Sequence, residues 1–270
     1  MMKAAAREEP MNALPAHDGA KSLIYICIPA YNEAATVGLL LWKTRQVMSE
    51  FPRDYEFLVV DDASSDDTDE ILAPYARVLP LTILRNEKRQ GYAASLERLI
   101  REAVRRSSHP RRDVIITLQA DFTEAPETIP ALVKRIEGGA DVVSAVATGE
   151  SDAPRAQRWT RRSLPLLLRK GGLPQGTRDP LSGFRAYRVG VLKRAISERN
   201  GRPLISQQGW AANVELLMAV TPHSRRAEDT EVGQRFDLRR RETRFRPWPT
   251  LVNLWNLSRL TRELPSVSAS

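Results

Sequence analysis

Leu23-Ile24-Tyr25-Ile26-Cys27-Ile28 runs into Pro29-Ala30-Tyr31-Asn32-Glu33, and Tyr55-Glu56-Phe57-Leu58-Val59-Val60 runs into Asp61-Asp62-Ala63-Ser64-Ser65-Asp66. Each is a short apolar run rich in β-branched residues that stops at a polar cluster, the pattern of a buried strand ending in a loop. Leu81–Leu84, Val114–Leu118 and Ala140–Ala145 repeat the pattern. Helical spacing fills the gaps. Val37, Leu40, Leu41, Thr44 and Val47 mark a helix from Glu33 to Glu50, and Asp66 is placed to cap one running to Ala76. Leu96, Leu99, Ile100 and Ala103 mark a helix over Gly91–Arg106, and Pro126–Ile136 forms another. Strands and helices that alternate, with uniformly apolar strands, predict an α/β fold: a mostly parallel sheet covered on both faces.

The composition agrees. The chain has 270 residues, 42% of them hydrophobic and 27% charged, so a core can be buried and extensive disorder is excluded. The single Cys27 excludes a disulfide scaffold and points to a reducing compartment. No apolar run of about 18 uncharged residues is present, so no segment is expected to span a bilayer. Residues 1–21 lack the apolar centre of a secretory signal and read as a flexible tail. Charge is unevenly placed. Residues 1–150 hold 18 basic and 23 acidic side chains, a net −5, whereas residues 151–250 hold 21 basic and 9 acidic, a net +12. A basic second half calls for a polyanionic partner such as nucleotide phosphates, a phospholipid surface or nucleic acid.

In parallel sheets, ligands sit at the carboxyl ends of the strands. There the sequence puts Pro29–Glu33, Asp61–Asp66 and Gln119-Ala120-Asp121, so three strand ends present carboxylates to one rim. Further along come Asn86-Glu87-Lys88-Arg89-Gln90-Gly91, Asp121-Phe122-Thr123-Glu124-Ala125-Pro126-Glu127 and Asp179-Pro180-Leu181-Ser182-Gly183-Phe184-Arg185. In this order, the motifs resemble family 2 glycosyltransferases of the GT-A fold, and within them the branch of dolichol- or polyprenyl-phosphate sugar synthases. The resemblance covers roughly residues 22–246. It divides the chain into a nucleotide-sugar half (22–145), an acceptor half (146–246) and a C-terminal amphipathic segment and tail (247–270).

What the resemblance implies is a nucleotide-diphosphate sugar lying across the strand ends. Pro29, Tyr31, Glu33, Asp61, Asp62, Gly91, Gln119 and Ala120 would bind it, and Gly91 reads equally as a helix N-cap glycine. Asp121 would stabilise the leaving diphosphate through Mg²⁺ or Mn²⁺, with Gln119 as the second ligand. The family usually carries Asp-x-Asp here. This chain has Gln119-Ala120-Asp121, which lowers the charge of the site. Arg239 and Arg244 would grip the donor diphosphate, with Asp179 orienting near the acceptor. Arg158, Arg162, Ser182, Gly183 and Arg185 would form the acceptor site.

A lipid-phosphate acceptor is already ionised and needs no general base, whereas a sugar hydroxyl needs one. Glu231-Val232-Gly233 and Glu215, after Trp210, fit the lipid-phosphate branch. The expectation is therefore an inverting transfer of a hexose to polyprenyl phosphate. Basic-aromatic stretches at Trp159–Lys170 and Trp248–Arg262 suggest a protein peripheral to the cytoplasmic face of a membrane. Two other readings stand beside it: a soluble family 2 transferase acting on a hydroxyl, and a non-catalytic nucleotide or nucleic-acid binder. Against nucleic acid as a partner, no helix-turn-helix, zinc pattern or aromatic-interleaved RNA motif is present.

Overall fold

β1 (Leu23–Ala30) is the spine of the sheet, pairing in parallel with β2 (Asp54–Asp61) on one side and β4 (Val114–Thr117) on the other. The computed structural model describes residues 22–148, 177–233, 250 and 252–254. β3 (Leu81–Arg85) extends the sheet beyond β2, and β6 (Arg185–Arg188), β5 (Val142–Thr148) and β7 (Ala227–Gly233) extend it beyond β4. The order is β3-β2-β1-β4-β6-β5-β7. Every pairing is parallel except the two made by β6, which lies antiparallel between β4 and β5.

Alternation along the strands builds two cores. Ile24, Ile26 and Ile28 face one layer, with α1 (Val37–Glu50), α2 (Thr68–Tyr75) and α4 (Ile129–Glu137). Tyr25 and Cys27 face the other, with α3 (Tyr92–Arg106), α5 (Val189–Glu198) and α6 (Ala211–Val220). Consecutive β side chains point to opposite faces, so a strand apolar at every position can only be central. A third small cluster docks Leu254 on Leu181, Ala211 and Val214. Among the described residues no helix is long and apolar enough to cross a membrane.

The first helix starts later than its apolar spacing suggests. Residues 33–36 form a turn in which the Glu33 carbonyl accepts from Thr36 N–H at 3.0 Å and Val37 N–H at 2.9 Å. Asn32 is left-handed (φ 52°), and Glu33 N–H is taken by the Thr68 hydroxyl at 2.9 Å, so the chain is held as a loop before α1 begins. Asp66 does act at the start of α2: its carboxylate accepts from Thr68 N–H and also from Ala34 N–H, at 3.1 Å each.

Arg185 locks β6 into place. It is only 1% exposed. Its guanidinium donates to Ser144 Oγ at 3.0 Å, to the Asn213 carbonyl at 2.9 Å, and to the Asp179 and Pro180 carbonyls at 3.1 and 2.6 Å. One planar fork thus joins β6 to β5, α6 and the loop before β6. Replacing Arg185 by Met should strand these carbonyls, at about 1–3 kcal/mol for each unpaired buried group. Lys should not rescue it, because a single ammonium cannot reach so many acceptors at once. Denaturant unfolding checks this, and an unshifted midpoint in Arg185→Met would refute the fastening role.

Candidate active site

The cleft opens where β1 has β2 on one side and β4 on the other, the switch point at which such sheets bind ligands. It is a cavity of about 290 Å³. Pro29, Ala30, Tyr31 and Glu33 come to it from the end of β1, Asp62 from β2, and Gln119, Ala120 and Asp121 from β4. Gly91, Tyr92 and Ser95 come from the start of α3, and Gln208, Gly209, Trp210 and Asn213 from the start of α6. The structure thus brings together Pro29, Tyr31, Glu33, Asp62, Gly91, Gln119, Ala120 and Asp121, all singled out from the sequence.

The strand-end turns are unusual, and acidic or amide side chains hold them. Asn32, Ala63 and Phe122 have φ of 52°, 57° and 59°. Such angles are costly for residues with a Cβ and are found where the surroundings enforce them. Asp61 brackets Ala63 by accepting from Ser64 N–H at 3.1 Å. Asp121 brackets Phe122 by accepting from Thr123 N–H at 3.1 Å and the Thr123 hydroxyl at 2.7 Å. The Asn32 side chain takes Ser65 N–H at 2.8 Å.

Asp62, 3% exposed, organises the next loop. It accepts from Asn86 Nδ2 and Gln90 N–H at 2.7 Å each, and from Gly91 N–H at 2.8 Å. Gly91 is the N-cap of α3 and also lines the cleft. Its φ of 93° needs glycine, and a Cβ there would lie 3.0 Å from Gln208 Oε1. Arg89 lies over the Tyr31 ring, 4.0 Å from its centroid, closing one end of the cleft.

The opposite wall hangs from two buried carboxylates. Glu97 of α3 accepts from Leu204 and Ile205 N–H at 2.9 and 3.1 Å. Glu215 of α6 accepts from Ser206 and Gln207 N–H at 2.7 Å each. Four consecutive amides are captured just before Gln208, Gly209 and Trp210 reach the cavity. Gln208, Gly209, Asn213, Arg89 and Ser95 were not singled out as site residues. A polar Asn213 inside the apolar run Ala211–Val220 was the legible signal, but its cause is tertiary: it accepts from the Tyr92 hydroxyl at 2.8 Å and donates to the Leu181 carbonyl at 3.1 Å. The Ser95 hydroxyl lines the cleft, buried and without a hydrogen-bond partner among the described residues.

Several expected contacts fall elsewhere. Asp61 does not line the cavity; its carboxylate serves the β2 turn. Asp179, Ser182 and Arg185 lie beneath the cleft rather than open to an acceptor. The Asp179 carboxylate accepts from Leu181 N–H at 3.2 Å, and the Ser182 hydroxyl donates to the Ala145 carbonyl at 2.8 Å. Arg185 directs its guanidinium to carbonyls, as above. Gly183 also sits below the lining, where a Cβ would lie 2.9 Å from Gln119 Nε2 and 3.3 Å from Asn213 Nδ2. Arg158, Arg162, Arg239 and Arg244 lie outside the described residues, as do both basic-aromatic stretches apart from Thr250 and residues 252–254.

Glu124 is the most perturbed acid near the cavity. Its carboxylate accepts from Gln119 N–H at 2.8 Å. Burial pushes it up to about 8, helped by the charges of Asp121 and Asp179 and opposed by the Gln119 N–H and by Arg185. In the folded protein it therefore keeps its proton between 4.5 and about 8, whereas the unfolded chain has lost it. Stability should fall as pH rises through that window. Glu124→Gln should flatten this slope and be the more stable form at the alkaline end, read by thermal unfolding with chelator present. Equal slopes would refute the assignment. Gly183→Ala should behave differently: the Gln119 amide can swing aside, so stability should change by less than the ~1–3 kcal/mol of a rigid overpacking. Donor affinity should drop, because Gln119 leaves the cleft. A calorimetric titration with nucleoside diphosphates checks this, and unchanged affinity would contradict it.

The comparisons with known proteins fit this geometry. The family model described as Glycosyl transferase family 2 matches residues 25–195. The undecaprenyl-phosphate 4-deoxy-4-formamido-L-arabinose transferase of Edwardsiella ictaluri (strain 93-146) is 31% identical over 182 residues, covering 64% of this chain and 51% of that protein. The transferase of the same name from Pseudomonas aeruginosa (strain LESB58) is 30% identical over 180 residues, covering 66% and 50%. The chain thus spans about half the length of the curated relatives it matches. Glucosyl-3-phosphoglycerate synthase from Mycobacterium tuberculosis, solved with Mn²⁺, UDP-glucose and phosphoglyceric acid, shares the fold. The TM-score is 0.58 at 18% identity, over 88% of this chain and 80% of that one. Staphylococcus aureus TarS 1–349 gives a TM-score of 0.52 at 15% identity, over 77% and 58%. With the family model spanning most of the sheet and the cleft at its switch point, the chain belongs to glycosyl transferase family 2 and has the fold of these structural neighbours.

Proposed function

We propose that this enzyme moves a sugar from a nucleotide-diphosphate donor to a polyprenyl phosphate at a membrane surface, with inversion at the anomeric carbon. The observation that carries the reading is the cleft: Tyr31, Asp62, Gln119 and Asp121, from three strand ends, share one cavity. Likeness to transferases named for undecaprenyl phosphate supplies the acceptor class. In this reading Pro29, Tyr31 and Glu33 receive the base and ribose, with Arg89 stacked behind Tyr31. Gly91 lets the backbone come close to the nucleotide, and the diphosphate points towards Asp121. The basic half from residue 146 onward, including Arg158, Arg162, Arg239 and Arg244, meets the donor and acceptor phosphates. Action at the cytoplasmic face of a membrane follows from the lipid-linked acceptor.

The donor set suits a hard, oxygen-liganded cation. Asp121 offers a carboxylate and Gln119 an amide in the same cavity. Among the described residues no group of three or more His, Cys, Asp or Glu is arranged to hold a metal unaided. That fits Mg²⁺ or Mn²⁺ arriving with the donor and shared with its phosphates. Such an ion would neutralise charge on the departing diphosphate. The protein's own part is to orient. Thr123 fixes Asp121, Glu124 fixes Gln119, and the Glu97–Glu215 wall fixes Trp210. An ionised phosphate acceptor brings its own nucleophile, so no side chain has to remove a proton.

Incubation with labelled nucleotide sugars, offering either polyprenyl phosphate or hydroxyl acceptors, tests the reading. Label should reach the lipid phosphate and be lost in Asp121→Ala, a drop of at least about a hundredfold if charge stabilisation of the leaving group is removed. Label found only on hydroxyl acceptors would replace the reading with that of a transferase acting on hydroxyls.

A further inference from the structure

The opposite end of the sheet carries a second polar cavity, of about 720 Å³. It lies where β4, β5 and β7 begin and β6 ends, away from the strand ends that form the donor cleft. Its lining includes Arg111, Arg188, Arg194 and Arg225, against a single carboxylate, Asp141. Asp141 is already neutralised: it accepts from Arg188 Nε at 3.0 Å and from Arg225 N–H at 2.8 Å. Arg188 is the floor, with its remaining donors on the Arg111, Ile136 and Ala140 carbonyls at 2.7, 2.5 and 2.8 Å. Arg194 gives one donor to the His223 carbonyl at 2.7 Å.

The guanidinium groups of Arg111 and Arg225 have no partner among the described residues, and both side chains are exposed. Ser224 lines the same cavity, and its buried hydroxyl has no hydrogen-bond partner among the described residues. Backbone contacts therefore gather like charges around a cavity whose one lining carboxylate among the described residues is already paired. A protein surface normally avoids such an arrangement, and an oxyanion would relieve it while accepting from the forks and the hydroxyl. We infer that this arginine cavity is a second anion site, which binds a phosphate or diphosphate group independently of the donor cleft. Its position, facing away from the strand ends where a lipid-linked acceptor would approach, favours a soluble phosphate over a headgroup.

Arginine modification of the full chain by phenylglyoxal, mapped by peptide mass spectrometry, tests the site residue by residue. Inorganic diphosphate should slow labelling of Arg111, Arg194 and Arg225 severalfold relative to matched sodium chloride, leaving exposed Arg77 unchanged. Arg89 reports the donor cleft separately, so occupancy of one site is not mistaken for the other. In Arg111→Ser/Arg225→Ser, whose side chains hold nothing else in place, protection of Arg194 should vanish. Protection by phosphatidylglycerol vesicles, with none from diphosphate or phosphatidylcholine, would uphold the anion site and assign it to a lipid surface. Equal labelling of these arginines in every arm would overturn the proposal.

Discussion

A guanidinium sealed inside the protein is the constraint from which the site is built. Arg185 stands at the start of β6, the one antiparallel strand among the described residues, and its donors reach β5, α6 and the loop at Asp179–Pro180. Because these pieces are drawn to one point, Gly183 lies flat beneath Gln119, and Asn213 meets the Tyr92 hydroxyl. A buried charge needs several acceptors and nearby acids to be tolerated. Glu124 nearby is raised chiefly by its own burial, with Asp121 and Asp179 adding to the shift and Arg185 opposing it.

The acidic residues at the strand ends do less binding and more bracing than their crowding implies. Asp61, Asp62, Asp66, Glu97 and Glu215 each accept from backbone N–H groups of loops that no strand or helix could satisfy. A carboxylate holding several amides is stable while ionised and fixes a loop without needing a regular element. This explains how like charges can gather on one rim: most are answered locally. Asp121, though braced by Thr123, remains in the cavity with the Gln119 amide beside it.

The two poles of the sheet have opposite character. At one, acids and amides line a cleft together with Tyr31 and Arg89; at the other, arginines line a cavity with one neutralised acid.

Periodicity along the chain was enough for the layered α/β fold, since an uninterrupted apolar strand has no alternative to burial on both faces. It also located the strand ends at Pro29–Glu33, Asp61–Asp66 and Gln119–Asp121, whereas the binding roles of their residues and of Gly91 rested on the family resemblance. The antiparallel course of β6 was not legible: Arg185-Ala186-Tyr187-Arg188 is short and charged at both ends, and only its neighbours make it a strand. Whether a polar residue faces the cavity or braces it from below was equally beyond reach. Ser182, Asp179 and Arg185 look like ligand-binding residues in a string of letters, but their hydrogen bonds cross between elements far apart in the chain. Spacing records what is near along the backbone; which donor finds which acceptor across the fold is settled only when the layers close.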